Sequence, residues 1–175
     1  MPRIIIIAGP NGSGKTTFGL QYREHEPELE GITFLNADEI ARNLPEEFSG
    51  VRRDLEGSRQ LIVRINELTN MRQNFMVETT LAVRWYANQI PEWKSMGYHI
   101  ALFYLRLPDA DYAVMRVKRR VEFGGHDIPE DVVRRRYTLS LEYLESIYRP
   151  IVDELVIVDN EDGGGMAFAT GDKDG

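Results

Sequence analysis

Apolar residues fall into two rhythms along this chain. Continuous β-branched or aliphatic runs mark strands buried on both faces, and runs with helical spacing separate them. The strand-like segments are Arg3–Ala8, Ile32–Asn36, Phe75–Glu78, Tyr98–Leu105 and Glu154–Asp159. Helices are expected over Lys15–Glu24, Asp38–Asn43, Arg52–Asn74, Arg84–Met96, Ala110–Phe123 and Pro129–Tyr148. Repeated βα order predicts an α/β fold: a five-stranded parallel sheet with helices on both faces. In the last helix Val133, Tyr137, Leu141, Leu144 and Tyr148 recur at helical spacing and are read as core. Pro129, Glu130 and Asp131 give that helix a favourable start, with proline and acids in its first turn.

The first strand leads into Gly9-Pro10-Asn11-Gly12-Ser13-Gly14-Lys15-Thr16, followed by Thr17. This fits the phosphate-binding (Walker A) pattern G-x-x-x-x-G-K-[ST] without a mismatch. Strand, glycine loop and helix together aim backbone N–H groups and a helix N-terminus at a phosphate. Residues Gly9 to Thr17 are therefore the expected ATP-binding loop of a P-loop NTPase fold. Lys15 would reach the β- and γ-phosphates, and the Thr16 hydroxyl would ligate Mg²⁺.

Ligands of open α/β sheets sit at the carboxyl ends of the strands. Two further candidates end strands there. Asp38 follows the second strand and is read either as a helix cap or as the base that accepts a hydroxyl proton in phosphoryl transfer. Glu78 closes an apolar run, where a charge needs partners. It is read as a structural ion pair, or as a contact to substrate or to Mg²⁺ through water.

Composition narrows the classes. A chain of 175 residues suffices for one substantial core, and 42% hydrophobic with 28% charged residues is ordinary for a globular protein. There is no cysteine, which excludes disulfides and thiolate chemistry and agrees with a cytoplasmic location. No apolar run is long enough for a membrane span. A net charge of −7 argues against general nucleic-acid affinity. Against that acidic background, residues 115–136 hold seven basic side chains and four acidic ones. Two Arg-bearing helices joined through Gly124-Gly125 suit a closing lid with a hinge and forked donors for a phosphate. The expected organisation is a kinase domain over 1–162, with a lid at about 115–136. A glycine-rich tail follows over 163–175, in which Met166–Ala169 could add an edge strand.

GPNGSGKTT, NADEIA, ETTL, RVKRRVEFGGHDIPEDVVRRRY and VDN together resemble the zeta-toxin family of P-loop kinases, in particular its short chromosomal branch. The resemblance implies a fold like that of nucleotide and small-molecule kinases, with a helical lid. Toxin members of the family phosphorylate UDP-N-acetylglucosamine and so poison cell-wall synthesis. It implies ATP and Mg²⁺ on Lys15 and Thr16, Asp38 as catalytic base, and Glu78 and Thr80 as substrate contacts. Arg120 is implied as a lid arginine on the transferring phosphate. A second lid arginine falls within Arg134–Arg136 and is taken at the middle position, Arg135. An antitoxin partner is also implied. The residues themselves leave other acceptors open, such as a nucleoside, an antibiotic or a polynucleotide end. They also leave open a slow ATPase that acts as a switch through a partner.

Overall fold

The computed structural model describes residues 1–160. The expected tail, including Met166–Ala169, lies outside the described residues. The strands are β1 (Arg3–Ala8), β2 (Thr33–Leu35), β3 (Phe75–Thr79), β4 (His99–Arg106) and β5 (Glu154–Asp159). All neighbours pair in parallel, in the order β2-β3-β1-β4-β5. The helices are α1 (Lys15–His25), α2 (Ala37–Arg42), α3 (Gly50–Asn70), α4 (Trp85–Ser95), α5 (Ala110–Glu122) and α6 (Glu130–Tyr143). The α/β architecture read from the apolar rhythm is therefore present, with element ends moved by a few residues.

β1 shows why its run of isoleucines is needed. As the central strand it is covered on both faces, and side chains alternate between them. Ile4 and Ile6 face a core shared with Leu61, Ile65 and Leu68 of α3 and with Tyr86, Ile90 and Trp93 of α4. Ile5 and Ile7 face the opposite core, with Phe18 and Tyr22 of α1. A smaller third core, around Val117 of α5 and Val133 of α6, joins those two helices.

Two local features were not expected. A single 3₁₀ turn, Pro27–Leu29, plugs Leu29 into the second core. The last helix is α-helical only to Tyr143 and continues as a π turn over Leu144–Tyr148. There the Arg149 N–H reaches back five residues to the Leu144 carbonyl. The widened turn keeps both Leu144 and Tyr148 in the core, where Tyr148 is fully buried and its hydroxyl donates to the Val83 carbonyl.

The connection from β1 runs over β3 to β2, and the connection from its neighbour β3 runs back across β1 to β4, so the two leave in opposite directions and open a crevice at the carboxyl edge. The glycine loop after β1, the start of α2 after β2 and the end of β3 all lie at that edge.

Candidate active site

The loop after β1 is held by close backbone approaches. Gly9 has φ +145°, and a Cβ there would stand 2.5 Å from the Leu105 carbonyl oxygen of β4. Gly14 has φ +83°, and its Cβ would meet Asn160 Nδ2 at 2.7 Å. Only glycine suits both conformation and space at these two positions. Asn160, the last residue of the VDN triplet, donates from Nδ2 to the Ser13 carbonyl at 2.7 Å. Its own N–H donates to Arg106 O, so the end of the sheet braces the loop.

Lys15 opens α1 and is 7% exposed. Its Nζ donates to Pro10 O at 3.0 Å, which leaves two of its three N–H donors without a protein acceptor. Burial pulls its pKa below the ordinary lysine range; Glu78 and Asp38 push it back up, and Arg120 and Arg136 pull it further down. A buried ammonium with spare donors, in a loop of aligned N–H groups, fits a polyphosphate. Ser13 Oγ, buried in the same loop, also has no partner.

Next to Lys15, the Thr16 hydroxyl donates to Glu78 Oε2 at 2.7 Å. The same Glu78 oxygen accepts from Asn36 Nδ2 at 2.9 Å. A hydroxyl and a carboxylate side by side are hard oxygen donors, and Mg²⁺ typically takes one or two of these from protein and the rest from phosphate and water. The residues present therefore fit that ion. No cluster of three or more metal-binding side chains occurs among the described residues.

Lys15, Asn36 and Glu78 line one cleft of about 590 Å³, and Thr16 stands just outside its lining, bonded to Glu78. Asp38 stands on its wall, in the first turn of α2, with its carboxylate free of any hydrogen bond or ion pair. It does not cap the helix. Asn36 does, accepting from the N–H groups of Asp38 and Glu39 at 2.8 and 3.3 Å. Thr80 lines the same cleft beside Leu81, a non-glycine residue at φ +63° whose N–H bonds Thr79 Oγ1 at 3.1 Å. That strained turn re-aims the chain as it leaves β3. Tyr86 lines the wall beyond, and burial pushes its hydroxyl well above the usual tyrosine range.

α5 and α6 supply the roof. Arg120 lines the cleft and donates to the His126 carbonyl at 2.8 Å. Of the three arginines in α6, Arg136 reaches the cleft, with Nη1 3.5 Å from Asn11 Oδ1. Arg135, the expected position, is exposed and does not line it. Arg134 points away, to Asp111 at 2.6 Å and Glu130 at 2.8 Å. Thr17 is exposed on α1 and lies outside the cleft lining. Gly124-Gly125, expected as a hinge, closes α5 with a Schellman cap. Gly124 has φ +84°, its N–H bonds Val121 O, and Gly125 N–H bonds Arg120 O. A Cβ on Gly125 would collide with the Arg120 stem at 2.5 Å, so this glycine makes room for the arginine.

The zeta toxin family profile matches residues 1–164. The chain belongs to the zeta toxin family. A Haemophilus influenzae protein described as uncharacterized is 27% identical over 135 residues, covering 77% of this chain and 92% of its own. The structure of the PezAT chromosomal toxin–antitoxin system of Streptococcus pneumoniae is similar at TM-score 0.67 and 16% identity, covering 97% of this chain and 75% of that one. A chain of the Pnkp1/Rnl/Hen1 RNA repair complex is similar at TM-score 0.66 and 20% identity, covering 83% of this chain. This chain spans only 46% of that protein's length. At these identities the structural likenesses establish the fold, which is that of P-loop kinases. In this family member the motifs GPNGSGKTT, NADE and ETT each contribute residues to the cleft lining.

Proposed function

We propose that this protein is an ATP-dependent kinase that transfers the γ-phosphoryl group to a hydroxyl of a small molecule. One observation carries the reading. A partner-free carboxylate, Asp38, shares a cleft with the buried phosphate-loop lysine and two arginines. A phosphoryl-transfer site needs a cationic cradle, a positioned acceptor and a proton sink. A loop that only bound nucleotide would need no such acid opposite it.

In this mechanism the loop N–H groups and Lys15 bind the β- and γ-phosphates. The acceptor lies between Asp38, Glu78 and Thr80. Its hydroxyl oxygen bonds to the γ-phosphorus as the bridge to the β-phosphate breaks, and its proton passes to Asp38. Arg120 and Arg136 face the oxygens that carry charge in transit. Mg²⁺ held at Thr16, with Glu78 beside it, would neutralise charge on the phosphates. The α5–α6 segment acts as the lid and excludes water that would hydrolyse ATP.

The acceptor we propose first is a nucleotide sugar, UDP-N-acetylglucosamine, because the chain is a zeta toxin family member. A protein antitoxin is proposed on the same ground. The test is ADP release and product mass with UDP-N-acetylglucosamine, free N-acetylglucosamine, nucleosides, an aminoglycoside and a 5′-hydroxyl oligonucleotide. Acceptor-dependent turnover that Asp38→Asn removes is the expected result. ADP release that is equal without acceptor, and indifferent to Asp38→Asn, would overturn the kinase reading in favour of a nucleotide switch.

A further inference from the structure

Asn36 follows directly on β2 and is 7% exposed, although it is a polar residue in the middle of the site. Its side chain is used on both sides. Oδ1 accepts from the N–H groups of Asp38 and Glu39. Nδ2 donates to Glu78 Oε2 at 2.9 Å and stands 3.4 Å from Thr16 Oγ1. The orientation of the amide is fixed by these partners, because backbone donors require the oxygen and a carboxylate requires the amino group.

We infer that Asn36 is a positioning residue that couples the acceptor base to the nucleotide side of the cleft. The inference rests on the kinase reading above. Asp38 sits in the first turn of a six-residue helix. A helix that short has little stability of its own and takes its direction from its cap and its neighbours. Packing of Ala41 against Gly57 of α3 fixes its far end, where a Cβ on Gly57 would come within 2.7 Å of Ala41 Cβ. The Asn36 amide fixes the end that bears Asp38. The other side of the same amide holds the carboxylate that accepts from Thr16. A continuous hydrogen-bonded path therefore runs from the first turn of α1, through the end of β3, to the first turn of α2. Occupation of the loop by nucleotide pulls on Thr16 and Glu78 and reaches Asp38 by this path.

The rival reading is that Asn36 is only a helix cap. Serine and aspartate cap as well as asparagine does. Neither offers an N–H on the far side, and that separates the two readings. Asn36→Ser keeps a cap but cannot span to Glu78. Asn36→Asp keeps the cap and the shape but faces Glu78 with a second carboxylate. Asn36→Ala loses both functions.

Each variant is measured for melting temperature, for affinity to a non-hydrolysable ATP analogue, for kcat and KM, and for hydrogen exchange over residues 37–42 with and without Mg²⁺ and the analogue. The expected result is that Asn36→Ser, which keeps the cap, melts within a few degrees of the parent, and that Asn36→Asp melts lower because its carboxylate stands against Glu78. Both variants bind the analogue within about threefold but lose about 10–100-fold in kcat, the size of one charge-assisted hydrogen bond. In the parent, nucleotide raises protection over 37–42; in Asn36→Ser it binds without doing so. Parent-like kcat and parent-like exchange response in both Ser and Asp variants would overturn the inference and leave a cap. Should no acceptor be phosphorylated by the parent, the kinase reading fails, and the exchange response still decides the coupling.

Discussion

Lys15→Met separates what the phosphate-loop lysine does for the fold from what it does for the ligand. The lysine is 93% buried, with one protein acceptor, Pro10 O, at 3.0 Å. A hydrogen bond from a charged donor contributes about 1.5–3 kcal/mol. Taking an ammonium out of water costs several kcal/mol even after local relaxation. Methionine has similar reach, leaves only a carbonyl short of one donor, and gains a little from apolar burial at about 25 cal/mol per Å². The difference favours the variant by about 1 kcal/mol in the ligand-free protein. For a chain of this size that is a rise of about 2–4 °C in melting temperature.

Nucleotide reverses the order. Losing two charge-assisted bonds to phosphate oxygens costs about 3–4 kcal/mol, or about 10²–10³-fold in affinity. A melting experiment with and without Mg²⁺ and a non-hydrolysable ATP analogue reads both quantities. At about 100 times its dissociation constant the analogue stabilises the parent by about 2.7 kcal/mol, and it should barely move the variant. The pH dependence gives a third check. Burial lowers the Lys15 pKa in the folded state, so between that lowered value and the ordinary lysine value the unfolded chain binds more protons than the folded one. The parent's stability deficit is therefore full below the lowered folded value and shrinks as pH rises from it toward the ordinary lysine range. A ligand-free variant that melts well below the parent would show that the Pro10 brace outweighs burial. Nucleotide affinity within a few-fold of the parent would refute the assignment of the loop.

Asp38→Asn should lower kcat by about 10²–10⁴-fold with ATP-analogue affinity unchanged, measured by steady-state transfer to the true acceptor. Arg136→Ala should cut turnover by about tenfold or more, as should Arg120→Ala. The controls Arg135→Ala and Arg119→Ala, at positions outside the cleft, should stay within about twofold; equal effects across all four would reduce the segment to a basic surface. Gly14→Ala should weaken nucleotide binding and lower the melting temperature, because its Cβ collides with the Asn160 amide at φ +83°; a parent-like thermal melt would refute that. Asp54→Asn, where α3 lines the cleft, should raise KM for the acceptor and leave KM for ATP alone.

The sheet was legible because burial on both faces writes itself into the chain as unbroken apolar runs, as in Ile4–Ile7 and Phe75–Val77. The π turn over Leu144–Tyr148 was not legible. One extra residue in a turn leaves the apolar spacing almost unchanged, and both rhythms place Leu144 and Tyr148 inward. The Schellman cap at Gly124-Gly125 was not legible for a related reason. A Gly-Gly pair after a helix suits a hinge and a Schellman cap alike, and only the backbone bonds to Arg120 and Val121 reveal the cap.

Two site residues carried a signal that was readable in the chain. Asn36 precedes Ala-Asp-Glu at the end of a strand, which is an N-cap followed by first-turn acids. Reading the cap at Asn36 frees the Asp38 carboxylate for other work, so the two readings of Asp38 were never equal. The α6 arginines yield to helix phase. Val133 faces the small core between α5 and α6. At about 100° per residue, position 136 returns to within about 60° of it, whereas 135 lies about 160° away. An arginine beside the buried stripe of a roof helix looks down into the cleft, and one opposite it looks into water. The motif RRRY thus supplies three identical side chains, and the apolar residue three positions before the last of them decides which one meets the phosphate loop.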